Sequence, residues 1–215
     1  MNYIAILDYE HLDSAIFLKS FSEALSAQRN TRGIILHGDS PYTQRLVQTG
    51  MLTEDARLRG TKDLNHRLVS LLADNGVAAI GLNAYQREII QVTGEVVELD
   101  QKLLTGFPQN THLVLSNLVS QDQGKPPAPF NLAELAGLLH NRLELDEIFI
   151  FSKSEADEIL TEEPAATVLK FDELENQFID GKIPDDLSAL PLPCRLITTR
   201  SFHELPDLSK TILLQ

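Results

Sequence analysis

Cysteine occurs once in the 215 residues, at Cys194, so no disulfide can form within the chain. No basic-plus-apolar leader opens the sequence, and a reducing, cytoplasmic setting is the expectation. Long hydrophobic runs are missing too. Stretches such as VAAIGL at 77–82 fall far short of the roughly 20 residues that span a bilayer, so no membrane is expected as a partner. Positive charge is scarce: 18 Lys and Arg stand against 31 Asp and Glu, a net charge of −13. A surface of that sign repels phosphate backbones and anionic lipid, which excludes nucleic acid as an expected partner as well. Metal-binding spacing is also lacking, since His66 and His140 sit on predicted helices with no second ligand one turn away.

What is present is an ordinary core composition, 43% hydrophobic and 23% charged, and a regular alternation of patterns. Apolar runs at 2–7, 33–38, 77–82, 111–119, 146–152, 194–199 and 210–215 predict strands. Residues 12–28 predict a helix, with Ile16, Phe17, Phe21 and Leu25 near one face and Asp13 or Ser14 as its cap. Residues 40–50 predict a second helix with Pro41 in its first turn and Gly50 beyond its end. Residues 62–76 predict the clearest one, with Leu64, Leu68, Leu71 and Leu72 in a stripe and Asn75-Gly76 as the stop. A hairpin around Thr93-Gly94 is expected at 88–99, an irregular Pro/Gly turn at 121–130 and a helix at 131–145. Strands that alternate with helices imply an α/β fold, with a largely parallel sheet covered on both faces. One domain is expected over residues 1–215.

Residues 33–47, GIILHGDSPYTQRLV, read as strand, glycine turn and helix, the usual way to aim backbone N–H groups at a phosphate. Residues 64–85, LNHRLVSLLADNGVAAIGLNAY, run from a leucine helix through a glycine into a V-x-A-x-G-L strand. Asn65, Arg67, Leu68, Val69, Leu72, Gly76, Val77, Ala79, Gly81 and Leu82 fill a pattern that resembles the amino acid kinase family, and the acetylglutamate kinases in particular. ARLRGT at 56–61 resembles the element that leads towards the family's long helix, and residues 130–152 resemble its later helix and strand.

The resemblance implies a three-layer α/β/α sandwich. Residues 1–130 would form the acceptor-side lobe and residues 131–215 a reduced nucleotide-side lobe. It also implies phosphoryl transfer to a carboxylate or phosphate within amino acid metabolism, with ATP and Mg²⁺ as cofactors, and pairing into a homodimer to which the Leu64/Leu68/Leu71/Leu72 stripe could contribute. On the acceptor side it assigns ligand contacts to His37, Gly38, Asp39, Ser40, Arg57, Arg59 and Asn131. On the nucleotide side it assigns weaker ones to Lys153, Gly181 and Lys182. Each has a plainer reading. His37 would pack the loop, the two arginines would face water, Asn131 would cap a helix, and Lys153 would be a solvated strand end.

The family's phosphate cradle departs from its pattern at four places. The first strand, NYIAILDYEHLDS, lacks the lysine and glycines and carries Asp8 and Glu10 instead. Asp39 and Ser40 replace two glycines of the second loop, Ser152-Lys153 replaces a Thr-Asp pair, and Asp185-Asp186 replaces a glycine pair. Phosphoryl transfer rests on positioning and charge neutralisation, and these changes run against both. The first reading is therefore a catalytically degenerate relative that binds a small anionic metabolite or a protein partner, with no catalytic residue, no cofactor and no metal assigned. The alternatives are an active ATP-dependent kinase acting on an amino-acid derivative such as N-acetylglutamate, in which Lys153 or Lys182 supplies the missing charge, and a structural or regulatory oligomer subunit.

Overall fold

The computed structural model describes residues 1–28, 31–108, 110–122, 125–152, 168–169 and 193–215. In chain order the elements are β1 (Asn2–Leu7), α1 (Ala15–Ala27), β2 (Arg32–His37), α2 (Pro41–Gln48), α3 (Thr53–Asp74), β3 (Ala79–Asn83), β4 (Ile90–Thr93) and β5 (Val96–Leu99). There follow α4 (Gln101–Thr105), β6 (His112–Ser116), β7 (Leu118–Val119), β8 (Ala128–Pro129), α5 (Leu132–Leu143), β9 (Glu147–Phe151), β10 (Val168–Leu169), β11 (Cys194–Ile197), α6 (Thr199–His203) and β12 (Ile212–Leu214).

Eight of these strands form one sheet in the order β10-β12-β11-β9-β1-β2-β6-β3. Six run parallel from β11 to β3, while β12 pairs antiparallel with β11 and carries β10 alongside itself. Because side chains alternate across a strand, β1 sends Ile4 and Ile6 to one face and Tyr3, Ala5 and Leu7 to the other. The first face packs under α5 and α4 through Leu135, Leu139 and Leu104. The second packs under α1, α3 and α6 through Phe21, Leu68 and Phe202. This is the expected three-layer α/β/α sandwich with a mainly parallel sheet. Among the described residues, no helix is long and apolar enough to cross a membrane.

Several expectations need correction. The long helix begins at Thr53 rather than residue 62, so ARLRGT is helical and not a lead-in. Gly60 lies within this helix, where a Cβ would run into Thr43 Oγ1 of α2. Leu64, Leu68 and Leu72 are buried within the chain's own core, so they are not a free dimer stripe; Leu71 is half-buried. Ile16 is 70% exposed, because it lies about 100° around α1 from Phe17 and leaves the face that Phe17, Phe21 and Leu25 share. Residues 111–119 break at Asn117 into β6 and β7, and the expected irregular turn supplies β8, which pairs with β7. Beyond β11 the chain turns into α6, capped by Thr198 Oγ1, which accepts from Ser201 N. Ser14 caps α1 by accepting from Phe17 N at 3.1 Å.

Gly81 tests how tightly α3 is seated. A Cβ there would collide with Asn65 Oδ1 and come within 2.9 Å of Val69 Cγ2. Gly81→Ala is expected to cost about 2 kcal/mol, in line with overpacked core positions, read as a lower urea midpoint at an unchanged m-value.

Candidate functional site

The six parallel strands all end at one edge of the sheet, and the side chains there change from apolar to polar. Asp8 follows β1, His37 ends β2, Ser116 ends β6, Asn83 ends β3, Ser152 follows β9 and Thr198 follows β11. All six are buried. In an open parallel sheet the binding crevice lies outside these ends, where the strand order reverses. Here that point is β1, with β2 on one side and β9 on the other. Asp8 stands at it.

Asp8 Oδ1 accepts a hydrogen bond from His11 N at 2.7 Å. The His11 ring brings Nδ1 to 2.8 Å from the same oxygen, too bent for an aligned hydrogen bond. The other ring nitrogen, Nε2, lies 3.0 Å from the Ser152 carbonyl, which can only accept, so Nε2 donates. The ring packs on Phe17 with centroids 4.1 Å apart. His11 thus spans the switch point from β1 to β9. Asp8 Oδ2 has no hydrogen-bond partner, on a residue that is 1% exposed. Glu10, expected beside it, is exposed to solvent.

His37 is fully buried between sheet and α3. Asn65 Nδ2 donates to its Nε2 at 3.0 Å, which leaves Nδ1 to carry the proton towards the Gly38 carbonyl at 3.1 Å. The ring is therefore neutral. Burial pushes its pKa down to about 4, opposed in part by the bond to Gly38. The same Asn65 amide reaches the carbonyls of Leu82 at 3.2 Å and Val114 at 3.1 Å. One buried amide thus ties α3 to β2, β3 and β6.

Gly38 packs against Asn117 and Leu132. Asp39 has local work: its Oδ1 accepts from Ser40 N at 2.7 Å and from Thr43 Oγ1 in a short bond, at the positive end of α2. Its Oδ2 lies 3.7 Å from Arg57 Nε. Arg57 and Arg59 were expected together, but two residues of helix set them about 200° apart. Arg57 turns to the Asp39 loop, while Arg59 turns away to Asp63, 3.6 Å from its Nε. Ser40 is buried, and Asn131 caps α5 by accepting from Glu134 N at 3.0 Å. His37, Gly38, Asp39, Ser40 and Arg57 are therefore gathered at the crevice, and Arg59 is not. Lys153, Gly181, Lys182 and the Asp185-Asp186 pair lie outside the described residues.

The local field is negative. The Tyr9 phenol is raised first by burial and then by the carboxylates of Asp39 and Asp13. Among the described residues, the segments around the strand ends, 7–14, 37–41, 83–85, 116–120, 131–134, 151–152 and 197–199, contain no lysine or arginine, and Arg57 reaches the Asp39 loop from α3. Among the described residues no group of three or more His, Cys, Asp or Glu gathers to hold a metal ion. Cys194 is buried with its thiol pushed up to about 12, which leaves it unreactive. Sequence reasoning missed His11, Asn117 and the hub role of Asn65. Only the D-x-x-H spacing of Asp8 and His11, one turn apart after a strand, signalled the first of these.

No family model and no curated protein matches this sequence. Solved structures do. An aspartate kinase from Synechocystis superposes with a TM-score of 0.68 at 12% identity, covering 99% of this chain and 40% of its own. N-acetylglutamate synthase from Neisseria gonorrhoeae, complexed with coenzyme A and N-acetyl-glutamate, gives 0.62 at 11%, covering 92% and 54%. The isopentenyl phosphate kinase of T. acidophilum gives 0.61 at 9%, with both chains covered in full. This chain therefore spans about half the length, or less, of the first two. The three share the amino acid kinase fold, and this chain has that fold.

Two of the buried histidines, His37 at the crevice and His112 at the start of β6, make the protonation of the sheet's two ends testable. His112 Nδ1 accepts from Gly33 N at 3.1 Å, so His112 carries its proton on Nε2, the opposite tautomer to His37. Both are pushed down from 6.5 to about 4 by burial. The unfolded chain takes these protons first, so their contribution to stability is complete above pH 6.5 and is lost as pH falls towards 4. Ring ¹⁵N shifts should report the two tautomers, with neither ring titrating between pH 5.5 and 8.

Proposed function

We propose that this protein is a non-catalytic member of the amino acid kinase fold, which binds a small anionic metabolite or a partner protein and transfers no phosphoryl group. The observation that carries the reading is Asp8. A buried carboxylate at the switch point, with one oxygen unpartnered, is the wrong charge for a transferring phosphate. Asp39 adds a second carboxylate on the neighbouring loop, committed to the start of α2. A nucleoside triphosphate with Mg²⁺ does not fit these residues.

The anionic part of the ligand has one candidate partner at the rim. The Arg57 side chain is 41% exposed and its 3.7 Å contact with Asp39 is loose. Such exposed pairs are worth about 0–1 kcal/mol, so the guanidinium can exchange Asp39 for a ligand carboxylate at little cost. The competing reading, an active kinase, needs a lysine from residues 153–192 in the crevice and has no support among the described residues.

Calorimetric titration with Mg-ATP separates the two. No heat of binding is expected at millimolar nucleotide, whereas micromolar binding would overturn the proposal. In the absence of nucleotide, acetylated or free amino acids are expected to raise the melting temperature, and Arg57→Ala to abolish that rise.

A further inference from the structure

We infer that the cleft between α1 and α3 is a second binding site, and that it takes a monocarboxylate with an apolar chain. This site is separate from the crevice and does not rest on the reading given above.

α1 and α3 pack on the same face of the sheet, α1 through Phe17, Phe21 and Leu25 and α3 through Leu64, Leu68 and Leu72. Between them lies a cavity of about 470 Å³ that opens to solvent. Its floor is apolar. Leu12, Leu18, Leu64 and Leu68 line it from the core, and Leu71 is half-buried beside them. Ala15 and Ser70 stand exposed at its mouth, with side chains too short to fill it.

Its dimensions choose the kind of occupant. The volume lies within the ~300–1,000 Å³ of small-molecule sites. On the α3 side the cleft runs from Leu64 to Asp74, about 15 Å of helix. A strip that short offers far less surface than the ~800 Å² each partner gives to a stable protein interface. The occupant is therefore a small molecule.

The charges at the rim choose its head group. Leu64, Arg67, Leu71 and Asp74 follow one another at three- and four-residue steps, so they share one flank of α3. Asp13, on the other wall, is already taken, since Arg45 Nη2 donates to its Oδ1 at 2.9 Å. That bond, more than the nearby charge of Arg67, holds the Asp13 carboxyl below the usual carboxylate range. Arg67 is exposed and has no ion-pair partner among the described residues. Its guanidinium stands free between two leucines of the cleft, weakly hydrated and shaped to grip a carboxylate with two N–H groups. An alkyl chain on that carboxylate would lie along the leucine floor. His66, at the same rim, brings only neutral or positive charge. Asp74 lies about 10 Å further along the helix, also without an ion-pair partner among the described residues. It repels a second acidic group at the far end of the chain, so a single carboxylate is preferred to two.

The test uses the full chain and leucine methyl ¹H–¹³C spectra, with sodium decanoate below its micelle concentration as probe. Decanoate is expected to shift the Leu18 and Leu71 methyls saturably. Acetate, which lacks the chain, should leave them in place. Decylammonium and sebacate, the cation and the dicarboxylate of the same length, should each bind at least tenfold more weakly, and Asp74→Asn should narrow the gap to sebacate. Arg67→Gln is expected to weaken decanoate at least tenfold, and Ser70→Trp, which fills the mouth from an exposed position, to abolish the shifts. Equal binding of decanoate and decylammonium, no saturable shift, or full binding by both variants would overturn the inference. So would loss of the near-ultraviolet circular dichroism on adding decanoate, the mark of detergent action. Should a variant fail to fold, the comparison of ligands on the unaltered protein decides alone.

Discussion

The side-chain amide of Asn65 is the contact on which the candidate site depends. It donates to His37 Nε2, and it also lies within hydrogen-bond reach of the carbonyls of Leu82 and Val114. These groups belong to three different strands at the same edge of the sheet, so one buried amide sets where α3 stands relative to all of them. Two glycines make the seat possible. Gly81 leaves space for the amide itself, and Gly60, one turn further up, leaves space for Thr43 of α2. The short loop that carries Gly38 and Asp39 is held between those two contacts. Its position is thus a product of helix packing more than of its own turn chemistry.

A parallel sheet concentrates its unfinished business at one end. The strand interiors are apolar on both faces, and each strand must turn into polar residues where it leaves the core. In this chain the polar residues that do so are largely neutral or acidic. His37 is neutral because it is buried and because Asn65 already donates to it. Asp8 accepts from the His11 backbone N–H, yet only one of its oxygens is used.

Much of the fold was legible because periodicity is a local signal. The strands at 2–7 and 146–152, the helix capped by Ser14 and the hairpin around Gly94 all follow from patterns within a dozen residues. The errors have non-local causes. The start of α3 carries no side-chain cap, and the residue that explains Gly60, Thr43, lies on another helix. β8 exists only by pairing with β7, and Ile16 could be placed only once the face of α1 that meets the sheet was known. Of the residues named from motif position, His37, Gly38, Asp39 and Ser40 lie at or just beyond the end of β2, and Arg57 faces the Asp39 loop. The separation of Arg57 from Arg59 required knowing that both sit on one continuous helix.

The sequence alone determined the layered α/β class, the strand and helix order, the acidic balance and the lack of lysine around the first two strand ends. These follow from composition and spacing, which do not depend on how distant segments meet. Tertiary structure decided which atoms remain available. Which tautomer an imidazole holds and how an amide is oriented are set by partners 13 and 28 residues away, and no local pattern encodes such contacts. Asp8 was legible as a charge in the wrong place for a phosphate; that its second oxygen lies buried and unpartnered was decided only when β1, β2 and β9 came together.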